Sequence, residues 1–188
     1  MINLDVLFHK LNEKKSDYSF FLGIDGRCGA GKTTLAKQIA NQYECNVVHM
    51  DDFYLPISQR NESVMNQPGG NIDFQRLLDE IILPLSARRD TVYYSYDCHT
   101  DKFIKAKELS ADLATVIEGA YSCHPKIKSY YDFTVFYDIT KEQQLMRLRQ
   151  RNPQQLKNFL NIWIPREEKY FDFYNVMEEC NIVISDEL

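Results

Sequence analysis

The chain has 188 residues, of which 44% are hydrophobic and 26% charged, and its formal net charge is −5. That length supports one substantial core without demanding a second domain, and the composition is that of a globular protein. The acidic balance argues against an extended nucleic-acid footprint, which needs a basic face, and no apolar run approaches the length that spans a bilayer.

The opening residues place Ile2, Leu4, Leu7, Phe8 and Leu11 at roughly helical spacing, interrupted by Asp5. This predicts a short helix over 1–18 packed on a single domain of residues 1–188, and does not resemble a signal peptide. "FFLGID" (20–25) reads as a buried strand that stops where glycines begin, and "KTTLAKQIANQY" as a helix with Leu35, Ile39 and Ala40 at helical spacing. "CNVVHM" (45–50) is a second short apolar run, halted by Asp51 and Asp52. "DFQRLLDEIILPL" carries Phe74, Leu77, Leu78, Ile81 and Ile82 on one helical face and is expected to end at Pro84. "DTVYYSYD", "LATVIEGA" and "YDFTVFYDI" read as further strands, the last followed by the helical "KEQQLMRLRQR". A helix is expected from about Pro165, with Glu167 and Glu168 in its first turn, and "NIVIS" as a closing strand. Alternating strands and helices imply an α/β fold with a mostly parallel sheet covered on both faces. Ligands bind such sheets at the carboxyl ends of the strands, where Gly26, Asp51, Asp97 and Glu118 are all expected.

"GIDGRCGAGKTTLA" (23–36) satisfies GxxxxGK[ST] through Gly26, Gly31, Lys32 and Thr33, between a strand and a helix. This is the phosphate-binding loop of P-loop NTPases. Glycines let backbone N–H groups wrap a polyphosphate, the helix presents its positive end, Lys32 reaches the outer phosphates, and the Thr33 hydroxyl is suited to ligate Mg2+. The expected nucleotide cradle is Gly26, Cys28, Gly29, Ala30, Gly31, Lys32, Thr33 and Thr34. No NKxD sequence follows a later strand, as a GTPase switch needs. The strand ending "VIEG" lacks the paired acids usual in motor and helicase ATPases.

Behind the loop, Asp51 and Asp52 suit either deprotonation of an acceptor hydroxyl and support of Mg2+, or a solvated turn. Glu118 is either a member of the magnesium shell or a loop acid. Arg147 and Arg151 lie one helical turn apart, with Arg149 rotated away. Two guanidiniums on one face suit migrating phosphoryl charge, and a solvated basic face is the alternative. Tyr94, Tyr96, Asp97 and His99 either hold a nucleobase or simply pack. His9, His49, His124 and Trp163 receive no functional role.

Taken in order, "GIDGRCGAGKTTLA", "MDDFY", "NIDFQRLLDEI", "YDCHTDK", "VIEGAYS" and "RLRQRN" resemble the uridine kinase and phosphoribulokinase branch of P-loop small-molecule kinases, over residues 20 to 175. The resemblance implies a three-layer α/β/α fold with a five-stranded, mainly parallel sheet of the nucleotide-kinase type and a small lid, expected at about 147–165. It assigns Asp51, two positions before Phe53, as the base, and Arg147 and Arg151 as lid arginines. Tyr54, Asp73, Tyr96 and His99 are the residues it places at the acceptor. The expected activity is ATP- and Mg2+-dependent phosphorylation of a small-metabolite hydroxyl, most simply the 5′-hydroxyl of uridine or cytidine. Nicotinamide riboside, pantothenate or a sugar are alternative acceptors. A nucleotide-binding regulatory protein without transfer, or a nucleic-acid ATPase, are the readings outside that class. The expected partner is the small-molecule acceptor, with no nucleic acid and no membrane, and a homo-oligomer is left open. Five scattered cysteines without a CxxC pair suit reduced thiols in the cytoplasm.

Overall fold

The computed structural model describes residues 20–185, so the helix expected over 1–18 lies outside the described residues. In chain order the elements are β1 (Phe21–Gly26), α1 (Lys32–Gln42), β2 (Cys45–His49), α2 (Glu62–Met65), α3 (74–86), β3 (Thr91–Asp97) and β4 (Lys102–Leu109). They continue with β5 (Ala114–Glu118), α4 (Pro125–Lys128), β6 (Phe133–Asp138), α5 (Lys141–Arg151), α6 (156–174) and β7 (Ile182–Ser185).

β1 sits at the middle of a five-stranded sheet of order β2-β5-β1-β6-β7, in which every pairing is parallel. All six β1 residues are buried, as expected of a central parallel strand covered on both faces. Because side chains alternate across a strand, Leu22, Ile24, Val116 and Val135 pack with Leu35, Ala36 and Ile39 of α1 on one side. Phe21, Ile117 and Phe136 pack on the other with Leu77 and Ile81 of α3 and Tyr170 and Phe171 of α6. The result is the three-layer α/β/α architecture that the pattern and the resemblance predict. Local chemistry supports the joints. Thr140 and Gln143 form a reciprocal capping box at the start of α5, and Asn175 ends α6 in the left-handed region at φ 47°.

Two expectations are corrected. The strand "DTVYYSYD" does not join the parallel sheet; it pairs antiparallel with β4 in a separate two-stranded hairpin. β4 is rich in lysine and exposed along most of its length, so it has no apolar alternation to reveal it as a strand. Helix α3 also does not stop at Pro84. It passes through a π turn at Leu78–Ile82 and resumes as Leu83–Ser86. Proline cannot donate to the carbonyl four residues back, and here the Thr91 hydroxyl donates to that Glu80 carbonyl at 2.6 Å. No helix among the described residues is long and apolar enough to cross a membrane.

Candidate active site

β1 delivers the chain into the glycine loop at its carboxyl end. Gly26 has φ 134°, and a Cβ there would lie 2.1 Å from the Tyr137 carbonyl oxygen on the neighbouring strand, so only glycine fits. The loop then turns into α1 at Lys32. The Lys32 ammonium donates to the carbonyls of Gly26 at 2.6 Å and Arg27 at 3.0 Å, which folds it across the loop it is meant to serve. Thr33 Oγ1 donates to Glu118 Oε1 at 3.0 Å. Parallel register sets Glu118 beside Ile24 on one flank and His49 on the other, and His49 Nδ1 lies 2.5 Å from the same carboxylate oxygen. The Thr33 hydroxyl and the buried Glu118 carboxylate are hard oxygen donors of the kind Mg2+ takes. Among the described residues no three His, Cys, Asp or Glu side chains form a metal cage by themselves, so an ion here would share its coordination with phosphate oxygens and water.

A cleft of about 940 Å³ opens over these strand ends, lined by the loop, by Asp51 and Tyr54 after β2, by His99 of the hairpin turn, and by Arg147 and Arg151 of α5. Met50–Phe53 is one 3-10 turn, and successive residues of such a turn point about 120° apart. Asp51 therefore faces the cleft, accepting a hydrogen bond from the Tyr54 hydroxyl at 2.9 Å. Asp52 is turned into the hairpin, where it accepts from the Tyr93 hydroxyl at 2.9 Å and the Lys107 ammonium at 2.6 Å. Of the two adjacent acids, one is presented to a ligand and the other ties β3 and β4 to the domain.

No family model matches the chain. A uridine kinase of Clostridium botulinum (strain Langeland) is 23% identical over 137 residues, which span 67% of this chain and 65% of the length of that relative. Among solved structures, one described as a possible uridine kinase from Bacillus stearothermophilus matches with a TM-score of 0.73 at 22% identity, over 96% of each chain. In fold the chain is similar to that kinase. D-glycerate 3-kinase from Cryptococcus neoformans matches with a TM-score of 0.56 at 14% identity, over 88% of this chain and 84% of that one. The P-loop kinase frame is thus shared by proteins described with different acceptors.

Within this fold, the structure brings together Lys32, Thr33, Asp51, Tyr54, His99, Glu118, Arg147 and Arg151 around one cleft. Arg147 is already engaged, donating to the Ala30 carbonyl at 2.8 Å and the Gly29 carbonyl at 3.3 Å, so it buttresses the loop as well as lining the cleft. Arg149 is absent from the lining, as its rotation predicts. Two residues expected at the acceptor are elsewhere. Asp73 caps α3, accepting from the Arg76 backbone N–H at 3.0 Å. Tyr96 is buried in the hairpin, its hydroxyl bonded to Asp101 and its ring set between Phe103 and Arg60. Asp97, expected at an end of the main sheet, instead closes the hairpin turn, accepting from the His99 N–H and the Thr100 hydroxyl. Those hydrogen bonds hold its carboxyl below the usual range.

Other cleft residues carried no sequence signal. Arg60 is a lone arginine in a loop, held by the Leu55 carbonyl at 2.7 Å and lining the cleft beside Cys98. Glu167, legible only as a first-turn helix acid, accepts from the Cys28 backbone N–H of the loop at 3.0 Å. Burial pushes its carboxyl up, with Lys32 pulling the other way. Its neighbour Glu168 pairs with Arg27, which also holds Asp138 at 2.7 Å. Asp25 supports the loop from below, accepting from the Gly26 and Cys123 N–H groups and the Tyr170 hydroxyl. Burial raises its carboxyl as well.

Proposed function

We propose that this protein transfers the γ-phosphoryl group of ATP to a hydroxyl of a small metabolite. The observation that carries the reading is the convergence of Lys32, the Thr33–Glu118 pair and the exposed Asp51 on one cleft at the carboxyl ends of parallel strands. Loop N–H groups and Lys32 bind the triphosphate, Thr33 and Glu118 would hold Mg2+, and the bound ion would offset charge on the phosphate oxygens. Asp51 takes the proton from the acceptor hydroxyl, with Tyr54 orienting its carboxylate. Arg151, and Arg147 where it is not committed to the loop, face the transferred charge, and the segment 147–165 acts as the lid that excludes water. A second reading, in which the acceptor is the 5′-hydroxyl of uridine or cytidine, is supported by the description of the relatives and by His99 at the cleft.

The test is ADP release with MgATP across uridine, cytidine, nicotinamide riboside, pantothenate and simple sugars. Lys32→Ala and Asp51→Asn are the controls. Acceptor-dependent turnover lost in both variants supports transfer. ATP binding without turnover for any acceptor supports a regulatory nucleotide-binding protein instead.

A further inference from the structure

A second cavity of about 410 Å³ adjoins the cleft and shares Met65, Asn71, Tyr121 and Arg166 with it. Its walls come from the loop after α2, with Asn66 and Asn71, and from the helical segment starting at Ile164, with Arg166 and Lys169. Among the described residues no acidic side chain lines it. The reason lies in the helix. In "REEK" the cations stand three residues apart and so share a face, while Glu167 turns onto the Cys28 N–H and Glu168 onto Arg27. The one helix thus sends its acids to the phosphate loop and its cations to the second cavity. The Lys169 ammonium donates to the Asn66 carbonyl at 2.9 Å, which fixes it at the rim with two protons unspent. Arg166, half-buried, makes no hydrogen bond or salt bridge with any described residue.

We propose that this cavity binds an anionic group, a carboxylate or a phosphate, carried by the acceptor whose hydroxyl faces Asp51. The proposal rests on the kinase reading above and deepens it. A neutral nucleoside brings no charge to set against Arg166 and Lys169, whereas an anionic group pairs with both by charge-assisted hydrogen bonds. A hydroxy acid or a sugar phosphate fills both ends of the joined cavities.

The experiment is steady-state kinetics on matched acceptors. The carboxylate arm is pantothenate against panthenol and D-glycerate against glycerol; the phosphate arm is ribose 5-phosphate against ribose. Uridine and cytidine are the neutral comparison. The anionic member of one arm is expected to have at least tenfold higher kcat/KM than its neutral partner. Removing a charge-assisted hydrogen bond costs roughly ten- to a hundredfold in affinity. Arg166→Ala should therefore raise acceptor KM by about that factor and Lys169→Ala by several-fold, with Lys169→Arg restoring it and KM for ATP rising less than twofold. Equal turnover of a neutral nucleoside, indifferent to Lys169→Ala, overturns the proposal, as does an Arg166→Ala effect on ATP rather than on acceptor. If no acceptor turns over, the kinase reading fails by itself. The anion site is then judged by titrating inorganic phosphate into protein saturated with a non-hydrolysable ATP analogue, following Trp163 fluorescence. Binding weakened tenfold by Arg166→Ala keeps the site, and unchanged binding removes it.

Discussion

Asp51 and Asp52 are adjacent and chemically identical, so substituting each in turn separates a chemical role from a structural one. Asp52 accepts from the hydroxyl of Tyr93, a residue 0% exposed, and pairs with Lys107 at 2.6 Å with side chains 14% and 25% exposed respectively. Asp52→Ala leaves the Tyr93 hydroxyl without its acceptor, costing about 1–3 kcal/mol. It also removes a partly screened ion pair, worth up to about 1 kcal/mol more. The sum, roughly 1–4 kcal/mol, corresponds to a fall in Tm of about 2–16 °C for a chain of this length. Asp51 is exposed and, among the described residues, accepts only from Tyr54, so Asp51→Ala should change stability by less than about 0.5 kcal/mol. Its kcat should nevertheless fall about 10²–10⁴-fold, the usual contribution of a positioned general base. Denaturant unfolding and acceptor-dependent ADP release on both variants make the comparison. A stable but inactive Asp52→Ala beside a fully active Asp51→Ala would refute the assignment of which acid faces the chemistry.

Gly26→Ala forces a Cβ to 2.1 Å from a backbone oxygen of β6 at φ 134° and should destabilise the protein by more than about 2 kcal/mol while abolishing ATP binding, read by thermal shift with and without MgATP. Glu118→Gln should raise the Mg2+ concentration needed for half-maximal activity at least tenfold with little change in KM for the acceptor, because its carboxylate meets Thr33 and not the acceptor half of the cleft. His124 packs between Phe74 and Tyr170, caps α4 by accepting from the Lys126 N–H, and has its pKa lowered to about 4 by burial and then by Lys126. The unfolded chain binds that proton below about pH 6.5 and the folded one only near pH 4. Its contribution is therefore complete above pH 6.5 and lost as pH falls toward 4, on the order of 3 kcal/mol. His124→Asn keeps a capping oxygen and should flatten that slope in urea titrations between pH 7 and 4; an unchanged slope would remove His124 as its source.

Much of this protein is determined by local sequence. The strand, glycine loop and helix over residues 20–43 are legible because buried parallel strands read as short apolar runs and because phosphate wrapping needs glycine, lysine and a hydroxyl at fixed spacing. Strand ends carrying Asp51 and Glu118 are legible for the same reason, since apolar runs must stop where the sheet meets solvent. What the chain leaves open is set by contacts across it. The direction of Asp51 against Asp52 depends on a 3-10 turn and on partners 41 and 55 residues away in Tyr93 and Lys107. The hairpin escapes notice because β4 is charged and exposed, and with it the sequestration of Tyr96. Asp73 becomes a helix cap only because α3 begins beside it. Glu167 reaches the phosphate loop, and Arg166 and Lys169 the second cavity, because the segment after α5 folds back over the strand ends. Periodicity records which face of an element is buried; only the packing of distant elements decides what its polar residues meet.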